Sequence, residues 1–205
     1  MSARVLWYLG GCAVSAVCFV VTVRAELGLG PLFVVQDGVH QVLGISLGQS
    51  VMLVGTALVV AALLLRGGLG LGTFALPLVM GAMIDLLLPH LGTIDELGTR
   101  VLACTVASWC ITLGGAMVIK ARLGIAALDG VMMGLHRITG WPIGPLRLGM
   151  EATMLGTGWL LGGAVGLGTV IMGALIGHGL QFWMRVLRVP SLTVQRAPVP
   201  VGGRS

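Results

Sequence analysis

The sequence predicts an all-α polytopic membrane protein of about six transmembrane helices in two inverted repeats, each with a short re-entrant helix. Three observations carry that expectation. Of the 205 residues, 57% are hydrophobic and only 9% are charged, where a water-soluble globule normally carries about 25% charged residues. Apolar runs near the ~20 residues needed to cross a ~30 Å hydrocarbon core recur from residue 5 to residue 187, leaving no stretch for a separate aqueous domain. Finally, the chain superposes on itself without a gap when slid by 96 positions.

In chain order, the helix-length apolar runs fall at about 5–23, 49–66, 71–88, 101–119, 146–162 and 166–187. Within the first, Leu9 to Cys12 reads LGGC and superficially resembles a lipoprotein cleavage box, but about four apolar residues precede it where a leader needs roughly 7 to 15. That run is therefore expected to be a structural helix. Between the runs lie two shorter segments, 31–43 and 125–138, which would reach only ~20 Å as helices at 1.5 Å per residue. They are expected to enter the membrane without crossing it. The stretch from Pro190 to Ser205, with three prolines and paired glycines, is expected to be a disordered cytoplasmic tail. The organisation is thus a first membrane repeat over 1–96, a second over 97–189, and a tail over 190–205.

The self-match sets Arg4 on Arg100, Gly28 on Gly124, Gly38 on Gly134, His40 on His136, Gly44 on Gly140, Gly48 on Gly144 and Gly81 on Gly177. The turns at Gly70, Gly72 and Thr73 fall on Gly166, Gly168 and Thr169. An odd number of crossings per half inverts the second half, and charge favours that arrangement. Arg24 and Glu26 cancel where Lys120 and Arg122 add; acidic Asp95 and Glu96 match a C-terminus with Arg185, Arg188, Arg196 and Arg204. With both termini in the cytoplasm and three crossings per half, about ten of the 12 basic residues lie inside, as the positive-inside rule requires. Trp7, Trp141 and Trp183 then sit toward the inner interface, where indoles prefer to be.

Candidate functional residues follow from helical spacing. On the first short helix Phe33, Asp37, His40, Gln41 and Gly44 share a face; on the second, Asp129, Met133, His136, Arg137 and Gly140 do. In the repeat frame the acid moves by one turn, since Asp129 matches Phe33 and Met133 matches Asp37. Ionisable groups at membrane depth cost about 2.5–3.5 kcal/mol on insertion scales, so they line cavities or pair. Asp37 and Asp129 therefore read either as carriers of a proton or cation along a polar path with His40 and His136, or as groups facing water near the interface. Arg147 and Glu151, four apart, can pair along one helix, as a structural lock or as a gate that opens when Glu151 is protonated. Asp85, near the outer end of its span, is expected to reach the interface, and mid-span His178 reads either as part of a proton path or as hydrogen-bonded packing beside small residues.

Other classes are excluded on their own terms. The net charge of +5 comes from basic residues flanking apolar spans, not from a stripe with interleaved aromatics, so nucleic acid is not an expected partner. Cys12, Cys18, Cys104 and Cys110 lie within spans without CxxC spacing, which argues for packing and against metal. The glycine-rich turns before Thr73 and Thr169 follow no strand and lack GK[ST], so they are helix-to-helix turns whose threonines cap the next helix, not phosphate loops. Gly130/Gly134 and Gly173/Gly177 are GxxxG pairs for close helix approach, and would permit a homodimer. No nucleophile stands with a base, so no enzyme, cofactor or metal is expected.

The pattern resembles the YczE/YyaS/YitT-type bacterial integral membrane proteins, and the YczE branch most closely. RAELGLGP at Arg24 to Pro31, the GxGT turns, MGAMID ending at Asp85, Ala127-Leu128-Asp129, and the Arg147/Glu151 pair followed by LLGG carry the resemblance. It implies a multi-pass protein of the bacterial cytoplasmic (inner) membrane, of a kind often described as permeases. Family members tend to carry an acid where this chain has Phe33, so either Asp37 takes that role one turn later or the first half has lost its charge and only Asp129 carries it. The expected function is a small-solute or ion permease or exporter with a midplane site, coupled through Asp37 and Asp129. The alternative is a non-transporting membrane scaffold or regulatory partner of another complex.

Overall fold

In a computed structural model of the chain, residues 2–189 are described, and the tail expected at 190–205 lies outside the described residues. Eight α-helices account for most of them. They are α1 (Ser2–Ala25), α2 (Pro31–Leu43), α3 (Leu47–Leu64), α4 (Leu71–Leu87, extended by a 3-10 turn over Leu88–His90), α5 (Leu97–Ala121), α6 (Ala127–Thr139), α7 (Ile143–Leu160) and α8 (Leu167–Val186). α2, α3 and α4 start at 31, 47 and 71, and α6, α7 and α8 at 127, 143 and 167, a constant offset of 96.

Local chemistry sets these boundaries. Pro31 opens α2 with its φ already helical, and Gly44 and Gly140 close α2 and α6 in the left-handed region, at φ 63° and 71°. Ser46 and Gln49 form a capping box at the start of α3. Thr73 and Thr169 act from inside the first turn: each hydroxyl accepts from the amide three residues earlier, Gly70 at 3.3 Å and Gly166 at 3.2 Å.

The segments 3–25, 47–64, 71–90, 97–121 and 167–186 are long and apolar enough to cross a membrane. The sixth span expected at about 146–162 is not among them. α7 matches α3 in length at 18 residues, but Arg147, Glu151 and its glycines and threonines leave it less apolar.

At the centre, α1 and α5 run antiparallel in close contact. Small residues allow it: a Cβ on Gly11 would lie 2.7 Å from the Gly114 carbonyl oxygen, and one on Gly114 would collide with the Ser15 hydroxyl. With no hydrophobic drive between helices in lipid, such backbone approach and the dispersion it permits are what hold a bundle together. At one end Arg100 of α5 donates to the Ala25 carbonyl at 2.6 Å and to the Glu26 carbonyl at 2.9 Å, and Arg24 donates to Leu88 O. At the other end Tyr8 donates to Gly72 O at 2.6 Å, and Lys120 sits 4.0 Å above the Trp7 ring. The side chains that face outward, such as Leu64, Leu71 and Leu160, are at no disadvantage in lipid.

The remaining helices exchange partners between the halves: α2 packs on α7 and α6 on α3. The turn after α7 wraps α2, where a Cβ on Gly158 would lie 2.5 Å from Val35 N and one on Gly38 2.7 Å from Leu161 Cβ. Leu29 N donates to Ala164 O at 3.0 Å and Gly168 N to Leu27 O at 2.6 Å, which places α2 at the Ala25–Arg100 end. The turn after α3 wraps α6, where a Cβ on Gly134 would lie 2.5 Å from Leu65 Cβ. Gly72 N donates to Leu123 O at 2.8 Å, which places α6 at the Tyr8 end. One relation is unequal. α3 lies along α4, while α7 and α8 do not pack along each other.

Candidate functional site

The ionisable residues on the short helices take different parts. Asp37 on α2 is held structurally: its Oδ2 accepts from the Ala164 amide at 2.8 Å and from Gln41 Nε2 at 3.1 Å. It thereby pins the turn after α7 to α2. His40 and His136 play one matched role, each with Nδ1 on a carbonyl oxygen five residues on, Ile45 O at 2.5 Å and Trp141 O at 2.6 Å. A carbonyl only accepts, so Nδ1 carries the proton and the imidazole closes the turn that follows its helix.

Asp129 has a different environment. It stands near the start of α6, opposite the first turns of α7, where Arg147 Nε donates to Glu151 Oε1 at 3.0 Å. Leu128, Asp129, Met132, Arg147, Met150 and Glu151 enclose a cavity of about 10 Å³, close to the smallest volume that admits one water. Asp129 has no hydrogen-bond partner among the described residues, and it lines this small space together with Arg147 and Glu151. At the matched place in the first half, Phe33 packs on Phe19 with ring centroids 4.4 Å apart. The second half has Asp129 and Gly115 at those two positions, a carboxylate and no side chain in place of an aromatic plug.

Of the sequence-predicted residues, the structure therefore groups Asp129, Arg147 and Glu151. Asp37 and His40 stand apart at the other end of the bundle, and His136 lies at the far end of α6 from Asp129. His178 keeps to its own helix, with Nδ1 3.0 Å from Ala174 O. Asp85 has a role that spacing alone did not reveal. Its Oδ2 accepts from Ser46 Oγ at 2.5 Å and its Oδ1 from Gly48 N at 2.8 Å, latching α4 to the start of α3. Arg100 was likewise missed as an anchor of the α1 terminus; its match to Arg4 in the self-alignment marked it as repeated but not as a donor to Ala25 and Glu26.

A profile of the family of unknown function DUF6198 matches residues 2–185. The chain belongs to DUF6198. It is 28% identical over 175 residues to an uncharacterized protein of Haemophilus influenzae, across 85% of this chain and 80% of that one. It is also 28% identical over 184 residues to the uncharacterized membrane protein YczE of Bacillus subtilis, across 87% of this chain and 84% of the relative. No solved structure matches. The YczE-like character expected from the motifs thus extends over nearly the whole chain. With its apolar helices, this DUF6198 protein is a multi-pass membrane protein.

Proposed function

We propose that this DUF6198 chain is an inner-membrane permease or exporter for a small solute or ion, with Asp129, Arg147 and Glu151 as its binding and coupling groups. The observation that carries this reading is the unpartnered Asp129 carboxylate at a narrow cavity shared with an Arg–Glu pair. A carboxylate at membrane depth is costly, and Asp129 lacks the hydrogen bonds that offset this cost at the structural carboxylates Asp37 and Asp85. In this reading α7 is the sixth crossing, tolerated in lipid because Arg147 and Glu151 neutralise each other. α2 and α6, 13 residues each, are re-entrant and enter from opposite faces. The constant offset of 96 between matched helices supports a duplication, and the placement of α2 and α6 at opposite ends of the bundle supports its inversion. Both termini are cytoplasmic.

The test uses a variant with Cys12, Cys18, Cys104 and Cys110 replaced, carrying Met132→Cys or Met150→Cys at the cavity wall. A membrane-impermeant thiol reagent is expected to label both from one side, at a rate altered by Asp129→Asn. Absence of labelling from either side, in folded and inserted protein, would mean a dry interior and would transfer the chain to the class of membrane scaffolds or regulatory partners.

A further inference from the structure

We propose that α7 swings onto α8 in a second conformation, closing a seam that repeats the α3–α4 seam of the first half. The inference concerns the fold and does not rest on any solute.

The closed seam is already present once. Gly48 and Gly81 meet so tightly that a Cβ on either would collide with the other's carbonyl oxygen. Met52 lies over Gly81, with Cγ 2.5 Å from where its Cβ would be, and Gly55 lies against the Pro77 ring. The residues 96 positions on are Gly144, Leu148 and Glu151 on α7, and Gly173, Gly177 and Gln181 on α8. Both members of the central glycine pair are therefore retained, yet a Cβ on Gly144, Gly173 or Gly177 would meet nothing within 4 Å. Leu148, the match of Met52, is 70% exposed.

Where the two seams differ in bulk, they differ reciprocally. The first sets a small residue on α3 against a large one on α4, Gly55 against Pro77; the second sets a large one on α7 against a small one on α8, Glu151 against Gly173. Complementarity survives the exchange, which a surface facing only lipid would not require.

The difference in latch accounts for which seam stands open. Asp85 ties α4 to Ser46 and Gly48; the matched residues are Gln181 and Pro142, and proline supplies no hydroxyl and no charge-assisted bond. α7 is also lightly held. Gly158, against α2, is its buried residue, and beyond it Gly162 turns the chain at φ +89°. The helix is thus anchored most firmly near its C-terminus, and its first turns, which meet α6 around Asp129, are the part that moves. Closure would carry Glu151 from the Asp129 cavity toward Gly173.

Disulfide cross-linking in native membranes tests this, in the background lacking the four native cysteines. Ser46→Cys/Asp85→Cys, whose native side chains touch, is the control and should cross-link within one chain. Pro142→Cys/Gln181→Cys, the same pair 96 residues on, should also cross-link within one chain. Adding Gly177→Leu, which fills the seam without touching the open form, should slow that cross-link by at least about tenfold. The proposal is overturned if the control forms and the second pair does not, as when lipid permanently fills the gap. It is equally overturned if the second pair links two copies, or if Gly177→Leu leaves the rate unchanged. None of these readouts involves Asp129, so a failed seam and a failed solute site are told apart by the thiol labelling described above.

Discussion

Gly48 and Gly144 are the same residue at the same repeat position, and substitution separates them. Alanine at 48 drives a methyl group into the Gly81 carbonyl oxygen, and overpacking of this kind costs about 1–3 kcal/mol or more. Alanine at 144 meets nothing within 4 Å and, in a helix, gains about 0.5–1 kcal/mol from reduced backbone freedom in the unfolded chain. Thermal unfolding in detergent should therefore show Gly48→Ala well below the native chain and Gly144→Ala at or above it. Asp37→Ala should also destabilise, because the Ala164 amide loses its acceptor, a penalty of about 1–3 kcal/mol; Asp37→Asn, which keeps an acceptor oxygen, should recover much of it. Arg147→Ala should behave otherwise. Its pair with Glu151 is half-exposed, at 50% and 41%, and such pairs contribute about 0–1 kcal/mol. A small change in melting temperature with a large change in labelling at Met132→Cys would assign Arg147 to the site and not to the fold.

At the level of helices, Asp85 is the test of how the first hairpin is held. Asp85→Ala removes the acceptor for both Ser46 Oγ and Gly48 N while leaving Gly48 and Gly81 themselves unchanged. Single cysteines on the α3–α4 seam, such as Met52→Cys, should become accessible to a thiol reagent in that variant and stay protected in the parent. Helix positions were largely legible in the sequence. The bounds of α2, 31–43, coincide with the expected segment because Pro31 and Gly44 mark its ends chemically. α6 starts two residues later than expected, at Ala127, since Gly124 and Ile125 are drawn into contacts with Thr73. α7 shows the limit. Its length was readable, but Arg147, Glu151 and the glycines and threonines within the expected run leave its apolarity short of the other spans. The latch was not legible either, because Ser46 and Asp85 are 39 residues apart and no local pattern links them.

For the whole molecule, the offset of 96 between helices was legible in the sequence and the exchange of partners was not. An offset of 96 reports that two halves are alike; it does not report that α2 leaves its own half to pack on α7, or α6 to pack on α3. The same limit applies to the site. Spacing put Asp129 and His136 on one face, and Asp37 and His40 on another, but only the assembled bundle brings Arg147 and Glu151 to Asp129 and engages Asp37 with Ala164. One expected property follows from the exchange: neither half should be stable alone. Fragments 1–96 and 97–189 expressed separately should be degraded, and co-expression should restore both, as judged by co-purification of one with the other.

The wrapped turns carry a practical consequence for anyone who needs to insert sequence into this protein. In most membrane proteins the turns between helices are the safe places for an epitope or a fluorescent fusion. Here the turn after α3 lies against Gly130 and Gly134, and the turn after α7 against Val34 and Gly38, so both behave as core. The link between α4 and α5 is the permissive one: residues 91–96 are exposed or half-exposed, and a Cβ on Gly92 meets nothing within 4 Å. A tag placed there should leave the protein assembled in the membrane, whereas the same tag between Gly67 and Gly70 or between Leu161 and Ala164 should abolish its accumulation there.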